Sequence, residues 1–299
     1  MKQAHSDNRS LAPVAWAAML VISDLPDIIL GRLGIALPPW MTWGKVGFLA
    51  AFVAATLAFR VLRRLRPYAL ALFTLFLALG LTGVLRSTAW FQGHFNYQGV
   101  PFFTGYAAIM VLDILVALAV IAVLWLMKRD RRAFFLARGD MGAPIAPIRW
   151  LGIGAGESWR KFTWIFAGIA SLAVAVPTFL AIAPSASTQL RALPMLPAAL
   201  LFAAVNAFTE EAYFRCSLIS TLHEVIGKGH ALGLILVFFG LSHWLYGSPS
   251  GIVGFAMTGF LSWIMARSML ETRGMLSAWT IHFFPDVVIF FSYALAYVK

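Results

Sequence analysis

The sequence predicts an all-α fold, a polytopic membrane bundle of eight or nine transmembrane helices, and three observations carry that prediction. Of the 299 residues, 61% are hydrophobic and only 12% charged, with a mean hydropathy of +0.83, far from the mix of a water-soluble domain. The apolar residues run on continuously rather than alternating. Continuous runs favour spanning helices over a β-barrel, because a helix satisfies its own backbone hydrogen bonds in hydrocarbon. The basic residues gather between those runs, as the positive-inside pattern requires.

The first run is the least regular. Lys2 and Arg9 precede an apolar stretch from Leu11 to Ser23 in the manner of a signal peptide, but Asp24-Leu25-Pro26-Asp27 follows where a small-x-small cleavage site would stand. An uncleaved first helix is expected. Including it, the runs fall at about 11–35, 44–62, 68–86, 104–127, 161–183, 193–225, 231–247, 251–270 and 275–298, each long enough to cross at about 1.5 Å per residue. Arg60, Arg63, Arg64 and Arg66 follow the second run. Lys128, Arg129, Arg131, Arg132, Arg138, Arg149, Arg160 and Lys161 follow the fourth. Both loops, and with them Lys228 and the Arg267 to Arg273 turn, belong on the cytoplasmic side, which puts the N-terminus inside. Nine spans would leave the C-terminus outside and eight would return it inside.

Composition also excludes some functions. A formal net charge of +11 is accounted for by topology rather than by nucleic acid, and no nucleic-acid partner is expected. The excess of arginine over lysine points to a GC-rich genome and so to a bacterial inner membrane. A single cysteine, Cys216, rules out an internal disulfide and a cysteine-based zinc cage. Gly152-Ile153-Gly154-Ala155-Gly156 follows no strand and lacks the Walker lysine and the Rossmann spacing, so it reads as a glycine-softened interfacial segment. The aromatic stretch from Trp90 to Phe103 reads as an interfacial belt. Asp113, inside the fourth run, and Asp24 and Asp27, flanking Pro26, read as charges paired with a neighbouring helix or marking a break.

The chain's chemistry concentrates in Asn206-Ala-Phe-Thr-Glu210-Glu211-Ala-Tyr-Phe-Arg215. Two of the five glutamates sit side by side there. Each ionised side chain at bilayer depth costs roughly 2.5–3.5 kcal/mol on insertion scales, so the cluster reads as a functional site. On a helix, Glu211 and Arg215 share a face in the favourable acid-before-base order, while Glu210 is turned about 100° from Glu211. Two further helices each offer a histidine, in Phe239-Gly-Leu-Ser-His243 and in His282-Phe-Phe-Pro-Asp286, with Phe239 and His243, and His282 and Asp286, each one turn apart. Any one of them alone reads as a polar residue satisfied within a bundle. Three on successive helices read as one cavity.

Glu-Glu-x-x-x-Arg at 210–215, Phe-x-x-x-His at 239–243 and His-x-x-x-Asp at 282–286 resemble, in order and on successive helices, the three motifs of the CPBP family. These are the CAAX-protease and bacteriocin-processing, or Abi, intramembrane endopeptidases, and the resemblance covers about residues 193–298. It implies peptide-bond hydrolysis within the membrane in a membrane-anchored or lipidated polypeptide, with Glu210 and His243 activating a water and Glu211 and Arg215 as a supporting pair. Low-dielectric surroundings make a carboxylate a stronger base than it is in water, and an imidazole can carry the proton to the leaving amine. The family's third motif commonly ends in Asn, and its two residues are thought to stabilise the oxyanion. Asp286 accepts hydrogen bonds but, ionised, cannot donate one, so the expected arrangement is His282 as donor with Asp286 orienting it. On this reading residues 161–299 form the catalytic bundle and 1–160 an N-terminal set of helices with basic cytoplasmic loops.

No cofactor is favoured, and zinc is the alternative, with Glu210, His243 and His282 as its candidate ligands. The His-Glu-x-x-His pattern of zinc proteases is absent, since His223-Glu224 is followed by Gly227 and not by a second histidine. Two other functions compete: a non-catalytic immunity or scaffold protein of the same fold, and a transporter using the buried carboxylates for proton coupling.

Overall fold

The computed structural model describes residues 3–96, 99–127, 130–246 and 249–299, with backbone alone over 3–10. Lys2, the Arg9 side chain, Tyr97, Lys128, Arg129 and Gly247 lie outside what is described. The helices run in order α1 (Gln3–Ile22), α2 (Leu25–Arg32), α3 (Met41–Ala58), α4 (Arg66–Ser87), α5 (Ala89–Phe95), α6 (Phe102–Leu126), α7 (Trp159–Ile182) and α8 (Ala186–Ala192). They continue with α9 (Leu196–Glu210), a π-helical turn (Glu211–Cys216), α10 (Ser217–Leu222), α11 (Lys228–Tyr246), α12 (Gly251–Thr272) and α13 (Leu276–Tyr297). Among the described residues the only β pairing is two isolated bridges. The fold is all-α. Among the described residues, eight helical stretches are long and apolar enough to cross a membrane, or nine if Leu11–Ile22 and Leu25–Arg32, bent by 52°, are one broken span. The uncertain first run thus becomes a kinked helix, with Pro26 in the opening turn of its second half, where a missing N–H costs nothing.

The chain divides into two compact units. The first comprises Met1–Gly80, Ala119–Leu136 and Ala212–Arg267. Leu11, Ala15, Met19 and Ile22 recur at helical spacing on α1 and are buried, and the Tyr68 hydroxyl donates to the Ala15 carbonyl at 3.2 Å. Ala231, Leu234, Ile235 and Phe238 form the buried face of α11. Gly240 and Gly254 permit close backbone approach: a Cβ on Gly240 would lie 2.8 Å from the Phe255 carbonyl oxygen, and one on Gly254 would lie 2.6 Å from that of His243. Asp27 is hydrogen-bonded to Lys45, both largely buried, and Asp24 lies 3.9 Å from the same ammonium.

The second unit comprises Leu81–Leu118, Ala137–Glu211 and Ser268–Lys299. Here α13 packs against α7 and α9. The Thr163 and Ser277 hydroxyls share a hydrogen bond of 2.6 Å, and the Trp279 indole donates to the Ala204 carbonyl at 3.1 Å. Phe102, Met110, Phe202, Phe290 and Leu295 form a buried cluster around small residues of α9 and α13. On α7, Ile165, Ile169, Leu172, Val176 and Leu180 are all exposed at helical spacing. Such a stripe would be an aggregation surface in water and is an ordinary lipid face in a bilayer.

The connection from α6 to α7 is clipped to the α12–α13 turn. The Glu271 carboxylate accepts from the Ala146 amide at 3.1 Å and the Trp159 indole at 3.0 Å, and the Asp140 amide donates to the Thr272 carbonyl at 2.8 Å. Gly139 (φ +77°) touches the backbone of Gly274, so only glycines fit at that crossing. The glycine run closes a tight turn in which the Ile148 and Ile153 backbones exchange two hydrogen bonds, with Gly152 at φ +71°.

Candidate active site

The sequence stretch that concentrates the charges is also where the helix changes type. After Glu210 the chain leaves the α-helix for one π-helical turn, Glu211–Cys216, before resuming as α10. Such turns carry one extra residue and recur at functional sites. The widened turn alters the angle between successive side chains, and both glutamates reach the same imidazole. Glu211 Oε1 lies 2.8 Å from His282 Nδ1, and Glu210 Oε2 lies 3.6 Å from His282 Nε2. Helical spacing predicts that Glu210 points about 100° away from Glu211; a ring presented edge-on by α13 bridges that gap.

The third motif supplies the ring and one more carboxylate. Asp286 Oδ2 lies 3.7 Å from His282 Nε2, and it accepts a hydrogen bond of 3.0 Å from Asn206 Nδ2. The tight contact on the ring therefore comes from Glu211. With Nδ1–H donated to Glu211, Nε2 is the ring atom aimed at Glu210 and Asp286, and donation from it requires the doubly protonated ring. Pro285, inside α13, cannot supply the amide that would close on the Ile281 carbonyl, which loosens the helix beside His282. The burial is uneven. Glu211 is fully buried, the His282 and Asp286 side chains are 7% exposed, and the Glu210 side chain is 21% exposed.

Two residues of this set escape a motif-based reading. Asn206 stands one turn before Glu210 on α9, so its spacing marks the same face, but only the structure shows its contact with Asp286. Asp113 on α6, which the sequence assigns to helix pairing, is close enough to Glu210 and Arg86 for their charges to act on it.

His243 and Arg215 belong to the first unit. Arg215 is fully buried, and its guanidinium lies over the Phe239 ring at 4.3 Å, an interaction worth about 2 kcal/mol when desolvated. The Phe239 ring in turn stands 4.5 Å, centroid to centroid, from that of His243. The Phe239 carbonyl lies 2.9 Å from His243 Nδ1. That bond commits Nδ1 as the donor and leaves Nε2 as the atom that handles protons. The phenylalanine of the second motif thus connects the arginine of the first to the histidine. Among the described residues, no group of three or more His, Cys, Asp or Glu is placed to hold a metal ion.

Fold and site together define an integral membrane helix bundle whose polar centre is a set of carboxylates around an imidazole. Residues 192–288, from the end of α8 to just past Asp286, match the family model of the Rce1-like type II CAAX prenyl endopeptidases. That segment holds all three motifs, and its match agrees with the CAAX-protease resemblance they carry. Neither the curated proteins nor the solved structures give a match. The match supports intramembrane endopeptidase activity in general terms.

Proposed function

We propose that the protein hydrolyses a peptide bond in a membrane-anchored or lipidated polypeptide by means of a water activated at Glu210. The observation that carries this reading is the unequal burial of two neighbouring glutamates on one imidazole. Glu210, 21% exposed, is open to a water, whereas Glu211, fully buried and 2.8 Å from Nδ1, is occupied in holding the ring. Glu210 takes the water's proton as the hydroxide attacks the carbonyl carbon. His243, with Nδ1 held by the Phe239 carbonyl, takes up at Nε2 the proton that Glu210 removed from the water and passes it to the leaving amine as the C–N bond breaks, which returns Glu210 to its ionised form.

His282, oriented by Glu211, donates from Nε2 to the oxyanion. Asp286, held by Asn206, sets the other side of that ring. Arg215 supports the site through Phe239. The catalytic bundle is residues 161–299, with residues 1–160 as its N-terminal support. The location that fits is a bacterial inner membrane, with the N-terminus cytoplasmic. A zinc-dependent version would use Glu210, His243 and His282 as ligands, with Glu211 orienting the His282 ring through its Nδ1.

The test is cleavage of prenylated and membrane-anchored peptides by purified protein in proteoliposomes, with Glu210→Ala and His243→Ala as controls. Cleavage by the wild type that both variants lose supports the proposal. Cleavage that survives both substitutions overturns it, and proton-coupled flux without cleavage would favour the transporter.

A further inference from the structure

Two donors stand around one oxygen of Asp286. Oδ2 accepts from Asn206 Nδ2 at 3.0 Å and lies 3.7 Å from His282 Nε2. An aspartate one helical turn after a histidine is within reach of the ring, and a hydrogen bond between the two would measure about 2.7–3.2 Å. The separation in this site is longer, and the bond goes to the amide. The surroundings leave the carboxylate few alternatives. One turn further from the ring on each helix, Phe202 of α9 and Phe290 of α13 meet at 6.0 Å between centroids, both buried. That aromatic layer offers no donor, and a buried carboxylate without one is costly. On the other side stand His282 and the carboxylates of Glu210 and Glu211, which when ionised can only accept. Among the described residues, Asn206 is the side chain hydrogen-bonded to Asp286.

Asn206 is itself braced within the same unit of the chain. Its backbone carbonyl accepts from the Thr209 hydroxyl at 3.1 Å. Two residues earlier, the Ala204 carbonyl accepts at 3.1 Å from the indole of Trp279, which stands nearly one turn before His282 on α13. The helix that carries the amide is thus tied to the helix that carries the ring at the level where the two meet.

We infer that Asn206 is a positioning residue for His282: by occupying Asp286 Oδ2 it keeps that carboxylate from drawing the Nε2 proton, which is then given to the oxyanion. Without the amide, the donor that remains for Asp286 is the ring itself. The i, i+4 contact would close, and the proton would be spent inside the site. The inference rests on the role of His282 proposed above.

The test measures kcat and KM separately in full-length protein in proteoliposomes. Asn206→Leu keeps the side-chain volume and removes the amide. Loss of one oxyanion donor costs about 10²- to 10³-fold, and with the donor diverted rather than deleted kcat falls about ten- to a hundred-fold, while KM changes less than about two-fold. In an Asp286→Asn background, where the competing acceptor is neutral, the same substitution costs less than about two-fold, as for two residues acting through one contact. Full kcat in Asn206→Leu, or an equal loss in both backgrounds, overturns the inference; equal losses are what a merely structural asparagine would give. Should Asn206→Leu fail to fold, Asn206→Ala carries the same expectations.

A wild type that cleaves nothing refutes the proposed function instead. The positioning is then read from the His282 Nε2 signal in nitrogen-labelled histidine protein. It shifts in Asn206→Leu if the ring turns its proton to Asp286, and an unmoved signal overturns the inference.

Discussion

Exchanging each of the two adjacent glutamates for glutamine separates the base from its support. Glu210→Gln keeps the shape but removes the only group in the proposal that takes the water's proton. Loss of a general base costs about 10²- to 10⁴-fold. Glu211→Gln also keeps an oxygen that can accept from His282 Nδ1 across the present 2.8 Å contact, but it turns a charge-assisted hydrogen bond into a neutral one. Hydrogen bonds to charged groups contribute roughly 1.5–3 kcal/mol and neutral ones about 0.5–1.5, a difference of about 1–1.5 kcal/mol. If all of it appears in the transition state, kcat falls about ten-fold.

The assay is steady-state cleavage of a prenylated peptide in proteoliposomes, with thermal unfolding in detergent recorded beside it. The expected order is wild type, then Glu211→Gln, then Glu210→Gln, with all three folded. Full activity in Glu210→Gln together with abolished activity in Glu211→Gln would show that the roles are reversed. The buried, ring-bound glutamate would then be the base.

Other expectations follow from the same geometry. Asp286→Asn removes a negative charge 3.7 Å from His282 Nε2 and keeps an oxygen for Asn206, so cleavage is retained or rises; complete inactivity in the same assay counts against His282 as the oxyanion donor. A strong chelator leaves cleavage unchanged and purified protein carries no stoichiometric zinc; chelator-sensitive activity restored by zinc would replace the glutamate mechanism with the metal one. Gly254→Ala places a methyl against the His243 and Pro249 carbonyls and costs about 1–3 kcal/mol by overpacking, seen as a lower unfolding temperature; an unchanged temperature would mean that α12 relaxes without strain.

The spans were legible because a bilayer allows few solutions. Long apolar runs must be helices, and even the eight-or-nine ambiguity corresponds to a physical feature, the 52° break between α1 and α2. The site residues stood out for a related reason: where charged residues are rare, a pair of glutamates in an apolar run is conspicuous. Their partners were less legible. An i, i+4 rule ties Glu211 to Arg215, but that rule assumes an α-helix, and Glu211–Cys216 is a π-helical turn. The wider turn has no local signature in the sequence, and both glutamates meet His282 where it begins.

The aspartate at 286 is best understood with Asn206 across from it. An asparagine there would offer an amide donor and no charge, and an aspartate reverses both properties. In this chain the amide stands on α9, one turn before Glu210, and donates to the carboxylate at 3.0 Å. The donor and acceptor are thus divided between two helices, and the contact ties α13 to the helix that carries the glutamates. That tie has a geometric consequence. Asp286 and Glu210 approach the same Nε2 from two elements, at 3.7 and 3.6 Å, so a shift of α13 relative to α9 would change both distances together. Asn206 opposes such a shift by holding Asp286, and Glu211 opposes it by holding Nδ1. The imidazole is therefore held at Nδ1 while Nε2 faces the partly exposed Glu210, the orientation that the proposed oxyanion donation beside an activated water calls for.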